Sequence, residues 1–167
     1  MGKLVLNGSE NPATDIYLRA INLLSRRDHT PVELKRKLAT RGFPADSINQ
    51  VLEKLAGEGY LDDRRFAERW AESAIRNGRG YGVRILQELQ RRGVPREIAA
   101  TAVAAAAVEY PEHDSLAAIV ARRFPKFDPA FSAQKEKQRV YSYLQRRGFS
   151  LQTITGFFKT RAEELDR

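Results

Sequence analysis

The sequence predicts an all-α fold: three tandem three-helix repeats stacked into an elongated, curved body. One stretch is written three times. Leu34, Leu38, Arg41, Gly42 and Phe43 recur as Ile85, Leu89, Arg92, Gly93 and Val94, and again as Val140, Leu144, Arg147, Gly148 and Phe149. The three glycines lie 51 and then 55 residues apart, near the length of helical repeat units rather than of domains with independent cores. No apolar/polar alternation of period two runs for any length, so no strand is expected. The repeats are expected over 14–59, 60–110 and 111–167, behind a flexible segment over 1–13 that ends in polar turn-formers. A compact helical bundle is the alternative architecture.

Each element has its own signal. Ile16, Ala20, Leu23 and Leu24 fall at helical spacing, which starts the first helix near Thr14, and Arg26 and Arg27 close it where positive charge suits a helix C-terminus. Thr30, Pro31 and Glu33 form a capping box with proline at the first helical position, so a second helix runs through Leu34 and Leu38 towards Gly42. Pro44 opens a third, which buries Ile48, Val51, Leu52 and Leu55. Repeat two begins with Asp62 or Asp63 as N-cap, followed by an apolar stripe of Phe66, Ala67, Trp70, Ala71, Ala74 and Ile75. Asn77 to Gly82 breaks that helix, a second runs to Arg92, and Pro95 starts a third that reaches Ala104–Ala107. Pro111 marks the next boundary, and Leu116, Ile119, Val120 and Phe124 form the opening helix of repeat three. Pro125 and Pro129 lengthen the connection that follows, which accounts for the longer second spacing. In the closing helices Ile154, Phe157 and Phe158 match Ile48, Val51 and Leu52 of repeat one and Ala99, Ala102 and Val103 of repeat two.

Composition narrows the function classes. The chain has 167 residues, no cysteine and two histidines, so a disulfide framework and a thiolate zinc site are excluded. No apolar run approaches the roughly 20 residues that span a bilayer, and Met1–Leu6 is too short for a signal peptide, so a soluble cytoplasmic protein is expected. A formal charge of +8 and a pI near 10.0 favour an anionic partner.

Catalytic constellations are scarce. Asp62 and Asp63 are a carboxylate pair beside a glycine-rich turn, but aspartate in the first turn of a helix is what the orphan amides and the dipole select. Gly78, Gly80 and Gly82 form a GxGxG string with no strand before it, so a turn between helices is expected, not a dinucleotide cradle. Arg79 and Tyr81 within that turn are candidates to touch a phosphate or a base. His29 and His113 lack nucleophile or ligand partners at any recognisable spacing, and both are expected at the surface or in caps.

Arg41, Arg92 and Arg147 occupy the last turns of their helices, where the dipole suffices to explain them. Arg84 and Arg91 stand in the same places relative to Gly93 as Arg139 and Arg146 do relative to Gly148. Each pair is seven residues apart and shares a helix face, which suggests a guanidinium stripe for a phosphate backbone or an acidic protein surface. A solvated face is the alternative. Between Arg122 and Arg147 eight basic residues, among them Arg122, Arg123, Lys135 and Lys137, stand against Asp128 and Glu136.

Three segments, DHTPVELKRKL from Asp28, GYLDDRRFA from Gly59 and GYGVRILQELQRRG from Gly80, resemble the RecX family, regulators of the RecA recombinase. With the third-repeat segment ending QRRGF, the resemblance covers about Thr14 to the C-terminus. Val83 departs from it, because the family commonly has proline there. The resemblance implies a non-enzymatic, cofactor-free protein that lies in the groove of the RecA filament on single-stranded DNA and lowers ATP hydrolysis, strand exchange and LexA self-cleavage. A monomer in contact with RecA is expected, and the net charge with the basic run after Arg122 predicts weak binding, without sequence preference, to single-stranded or duplex DNA. The face expected to do this is Arg84, Arg91, Arg139 and Arg146, with Arg79, Tyr81, Tyr60, Arg64, Arg65, Arg122, Arg123, Lys135 and Lys137 as further candidates. A stand-alone helical DNA-binding module is the main alternative, and a metal-dependent nuclease a weaker one.

Overall fold

The computed structural model describes residues 12–163, and the statements below concern those residues. Nine α-helices and no strand occur among them: α1 (Pro12–Leu24), α2 (Pro31–Ala39), α3 (Ala45–Gly57), α4 (Asp63–Arg76), α5 (Gly82–Arg91), α6 (Arg96–Glu109), α7 (Glu112–Arg123), α8 (Gln134–Arg146) and α9 (Leu151–Glu163). Helix α1 starts two residues before Thr14, with proline at its first position, where a missing N–H costs nothing. The remainder of the expected flexible segment, 1–11, lies outside the described residues.

Thr30 and Asp62 cap their helices through hydrogen bonds, but the Glu33 carboxylate does not reach back to close a capping box, because Arg27 and Arg92 hold it. Thr30, in extended conformation, accepts from the Glu33 amide at 3.1 Å and starts α2. Of the two aspartates at the start of α4, Asp62 is the cap: its carboxylate accepts from the Arg65 amide at 3.0 Å, and this bond holds its pKa below the usual value. Asp63 is half-buried, and burial pushes its carboxyl up instead.

The threefold echo is an echo of burial. Leu34, Ile85 and Val140 are fully buried, as are Leu38, Leu89 and Leu144. In the closing helices Ile48 and Val51, Ala99 and Ala102, and Ile154 and Phe157 are buried, while Leu52, Val103 and Phe158 are each half-buried. Side-chain volume varies, alanine in α6 and phenylalanine in α9, but the inward positions do not. Small residues in α6 allow close packing against α5.

The chain divides into two compact units. The first holds the described residues up to Phe66 together with Arg92–Pro95, and the second holds Ala67–Arg91 and everything from Arg96 onward. In the first, α1, α2 and α3 pack around Ile16, Leu34, Leu38, Ile48 and Leu55. In the second, α5 packs on α6, and α9 packs on both α7 and α8. Trp70 sits at the margin of its apolar stripe, half-buried under the Arg79 guanidinium, 4.6 Å from the ring centroid.

His29 is not at the surface: it is 5 % exposed, next to fully buried Thr30. Burial is the main reason its pKa lies below 6.5, and the charge of Arg27 adds to it. His113 is exposed, as expected.

Candidate functional site

Two Arg-Gly turns are built into the units as joints. In the first unit the Arg92 carbonyl accepts from the Thr30 hydroxyl at 2.5 Å, and the Arg92 guanidinium donates to Glu33 at 2.5 Å. Glu33 is almost fully buried and also receives Arg27 at 3.1 Å. Burial pushes its carboxyl up, but the Arg27 hydrogen bond and the charges of Arg27 and Arg92 outweigh burial and hold it below 4.5. Gly93 has φ +92 and lies against the Val32 side chain, so it provides both the left-handed turn and the close approach.

The second unit repeats the device with other side chains. The Tyr81 amide donates to the Arg147 carbonyl at 2.8 Å, and the Arg147 guanidinium donates to the Arg79 carbonyl at 2.9 Å. Gly148, φ +91, lies against the Tyr81 carbonyl and the backbone and Cβ of Arg84. Phe149 stacks on the Tyr81 ring, centroids 5.4 Å apart and planes 15° from parallel. Arg92 and Arg147 are therefore structural, as the sequence suggested, but through tertiary partners 59 and 68 residues away and not through the helix dipole alone. The equivalent Arg41 is exposed, and nothing among the described residues lies within 4 Å of where a Gly42 side chain would sit.

The sequence candidates separate into two groups. Tyr81 is 6 % exposed, its hydroxyl donating to the Tyr110 carbonyl at 2.8 Å, which withdraws it from any partner. Arg79 is half-buried on Trp70 and donates to Ser73 at 2.9 Å. The GxGxG stretch containing both is a turn between α4 and α5, and it makes the second joint rather than a phosphate cradle. Arg84, Arg91, Arg139 and Arg146 are all exposed. Arg84, Arg91 and Arg146 make no ion pair among the described residues, and Arg139 leans over Phe124 at 5.9 Å. The Tyr81–Arg147 joint brings the start of α5 to the end of α8, so Arg84, whose stem packs at Gly148, stands beside the turn that follows Arg146.

Tyr60 is half-exposed, and Arg64 and Arg65 are exposed in the first turn of α4, Arg65 reaching the Gly59 carbonyl at 2.7 Å. Arg122 is exposed but donates to the Asn77 carbonyl at 3.0 Å, on the rim of a cleft of about 440 Å³ lined also by Ile75, Tyr110 and Ile119. Arg123 and Lys135 are exposed, and Lys137 is half-buried. Among the described residues no group of three or more His, Cys, Asp or Glu side chains could hold a metal, and no helix is long and apolar enough to cross a membrane.

Models of the first, second and third three-helix domains of RecX match residues 17–55, 62–103 and 111–158. The chain belongs to the RecX family. It is 38 % identical to the regulatory protein RecX of Trichlorobacter lovleyi over 92 % of its own length and 99 % of that protein. To that of Halorhodospira halophila it is 40 % identical, over 89 % of each chain. The fold is also that of the RecX crystal structure from Lactobacillus salivarius, with a TM-score of 0.66 at 22 % identity over 93 % of this chain and 97 % of the other. Both RecX relatives carry the description of a regulatory protein, and a RecX-type regulator is what this chain is.

Proposed function

We propose that this RecX-family regulator binds the RecA filament on single-stranded DNA and restrains it, lowering ATP hydrolysis, strand exchange and the stimulation of LexA self-cleavage, either by occupying the filament groove or by disturbing filament growth. The observation that carries the reading is the pair of matched arginine faces, Arg84 with Arg91 and Arg139 with Arg146, all exposed. Exposed arginines without carboxylate partners add little to folding but suit an anionic protein surface or a phosphate backbone. On this reading the protein is a non-enzymatic monomer of the cytoplasm, and its own contact with DNA is weak and runs through phosphates. Tyr60, Arg64, Arg65, Arg123 and Lys135 are secondary contacts, whereas Arg79 and Tyr81 serve the joint.

The test is RecA ATPase on single-stranded DNA, titrated with this protein. Falling hydrolysis is expected, and unchanged or rising hydrolysis would overturn inhibition. DNA binding by the protein alone should weaken with salt at a slope of about −0.9 per phosphate contact on duplex and about −0.7 on single strands. Strong sequence preference with little salt dependence would favour the stand-alone DNA-binding module instead.

A further inference from the structure

Repeat three carries a feature that neither the joints nor the arginine faces use. The connection from Phe124 to Ala133 is longer than its counterparts and is a built turn. Phe124 meets Tyr143 edge-on with centroids 5.2 Å apart, Phe127 meets Phe158 at 5.6 Å, and Pro129 is buried. Asp128 closes the tip. Its carboxylate accepts from the Ala130 amide at 2.8 Å, its carbonyl accepts from the Ser132 amide at 2.9 Å, and its own amide donates to the Ser132 hydroxyl at 3.1 Å. Of the three phenylalanines in the connection two are anchored inward, and the third, Phe131, is left 76 % exposed at the tip.

The segment that carries the ring is rich in lysine. The Lys137 ammonium donates to the carbonyl of Ala130, the residue before Phe131, at 3.3 Å. Lys126 within the turn and Lys135 just after it are exposed. Asp128, the one carboxylate in the turn, accepts from the Ala130 amide. A single exposed apolar side chain is ordinary on a protein surface. A ring on a fixed turn, with an ammonium bonded to the carbonyl of the residue before it, is the pairing that single-stranded nucleic acid uses: the base stacks and the adjoining phosphate meets the cation, a contact indifferent to sequence because every base has a π-face. A duplex, whose bases are already stacked, cannot offer one to the ring.

We infer that Phe131, on the Phe124–Ala133 turn with Lys137 beside it, is a stacking platform for a base of single-stranded nucleic acid. The inference deepens the nucleic-acid half of the reading above by naming a residue and a strand form, and it does not depend on RecA.

The experiment uses the full chain without RecA, a fluorescently labelled oligothymidylate, and a duplex of equal length, with Phe131→Ala, Phe131→Leu and Phe131→Trp beside the parent. Phe131→Ala and Phe131→Leu should weaken single-strand binding roughly tenfold or more, and Phe131→Trp should retain it. Duplex affinity should change less than about twofold, and melting temperatures should stay with the parent because the ring is exposed. Leucine binding as well as phenylalanine would mean a merely apolar contact and would overturn stacking. So would equal losses on both strand forms, or no single-strand binding by the parent. Intact oligonucleotide binding by Phe131→Ala combined with lost RecA inhibition would reassign the ring to a protein contact. Failure of the RecA ATPase test alone would leave this result standing, so the two ideas fall separately.

Discussion

In the first unit the Arg92–Val94 turn is held by charge: Glu33 accepts from Arg92 in a setting where His29 and Thr30 are also buried. In the second unit the Arg147–Phe149 turn is held by a ring stack and by two hydrogen bonds that backbone carbonyls accept, one at Arg147 and one at Arg79. The backbone demand is common to both. A glycine at φ +92 or +91 reverses the chain, and the arginine carbonyl accepts a bond from the residue that opens or precedes a helix, Thr30 in one case and Tyr81 in the other. A tandem repeat thus preserves the backbone device and leaves the side-chain chemistry free to differ. The third copy, at Arg41–Phe43, has the same left-handed glycine at φ +85 with nothing packed on it among the described residues, and so serves as an internal control.

The glycines sharpen the comparison most. Because the three φ values nearly coincide, alanine at each incurs the same left-handed strain, about 1–2 kcal/mol. At Gly93 and Gly148 the added methyl also meets Val32, or Tyr81 and Arg84, and overpacking adds about 1–3 kcal/mol. Chemical denaturation should rank Gly93→Ala and Gly148→Ala well below Gly42→Ala in stability. Equal losses at all three would break the idea that the two turns are joints.

Removing the guanidinium should separate charge from stack. Arg92→Met leaves the Glu33 carboxylate with only the half-exposed Arg27, and a loss of about 1–3 kcal/mol is expected for a buried charged acceptor short of a partner. Arg147→Met removes a bond to a neutral carbonyl and should cost about 0.5–1.5 kcal/mol while the Tyr81–Phe149 stack persists. Urea midpoints of the two variants should show that order, and the reverse order would contradict it.

Acid should act on the charged joint through a smaller effect. His29 is held below 6.5, so between 6.5 and its folded value the unfolded chain binds a proton that the folded chain does not. Stability present above 6.5 is therefore lost as pH falls through that window, and Glu33, held below 4.5, adds a further loss at lower pH. Asp63, raised by burial, works in the opposite sense, which is why the comparison is with a variant. At the second joint burial pushes the Tyr81 hydroxyl above 10.0, beyond this range. His29→Gln should flatten the fall in melting temperature between about pH 6.5 and 5. A slope identical to the parent's would remove His29 from the account.

Much of the fold was legible because it is local. Thr30, Pro31 and Glu33 signal a helix start within four residues, and the inward positions recur at helical spacing in all three copies. The register of Ile48, Ala99 and Ile154 follows from the glycine echo alone. What was not legible is tertiary. His29 has no partner at a recognisable spacing in sequence, yet the residue beside it bonds to a turn 62 residues away. Tyr81 looked available in a glycine-rich turn, but its hydroxyl is claimed 29 residues away and its ring by Phe149. Phe131 lies in a turn with two prolines and no helical period, so periodicity gives it no role. Its signal was an aromatic residue inside the one insertion that the basic run surrounds.

The central claim is that the exposed arginine pairs of α5 and α8 serve a partner and not the fold. Arg84, Arg91, Arg139 and Arg146 are changed together to Glu, helicity and melting temperature are confirmed, and the variant is titrated into RecA filaments on single-stranded DNA while ATP hydrolysis is followed. Each exposed arginine should contribute under about 1 kcal/mol to stability, so the fold should survive. Like-charge contact at the interface costs several kcal/mol, so inhibition should be largely lost. A folded variant that restrains RecA as well as the parent would contradict the claim.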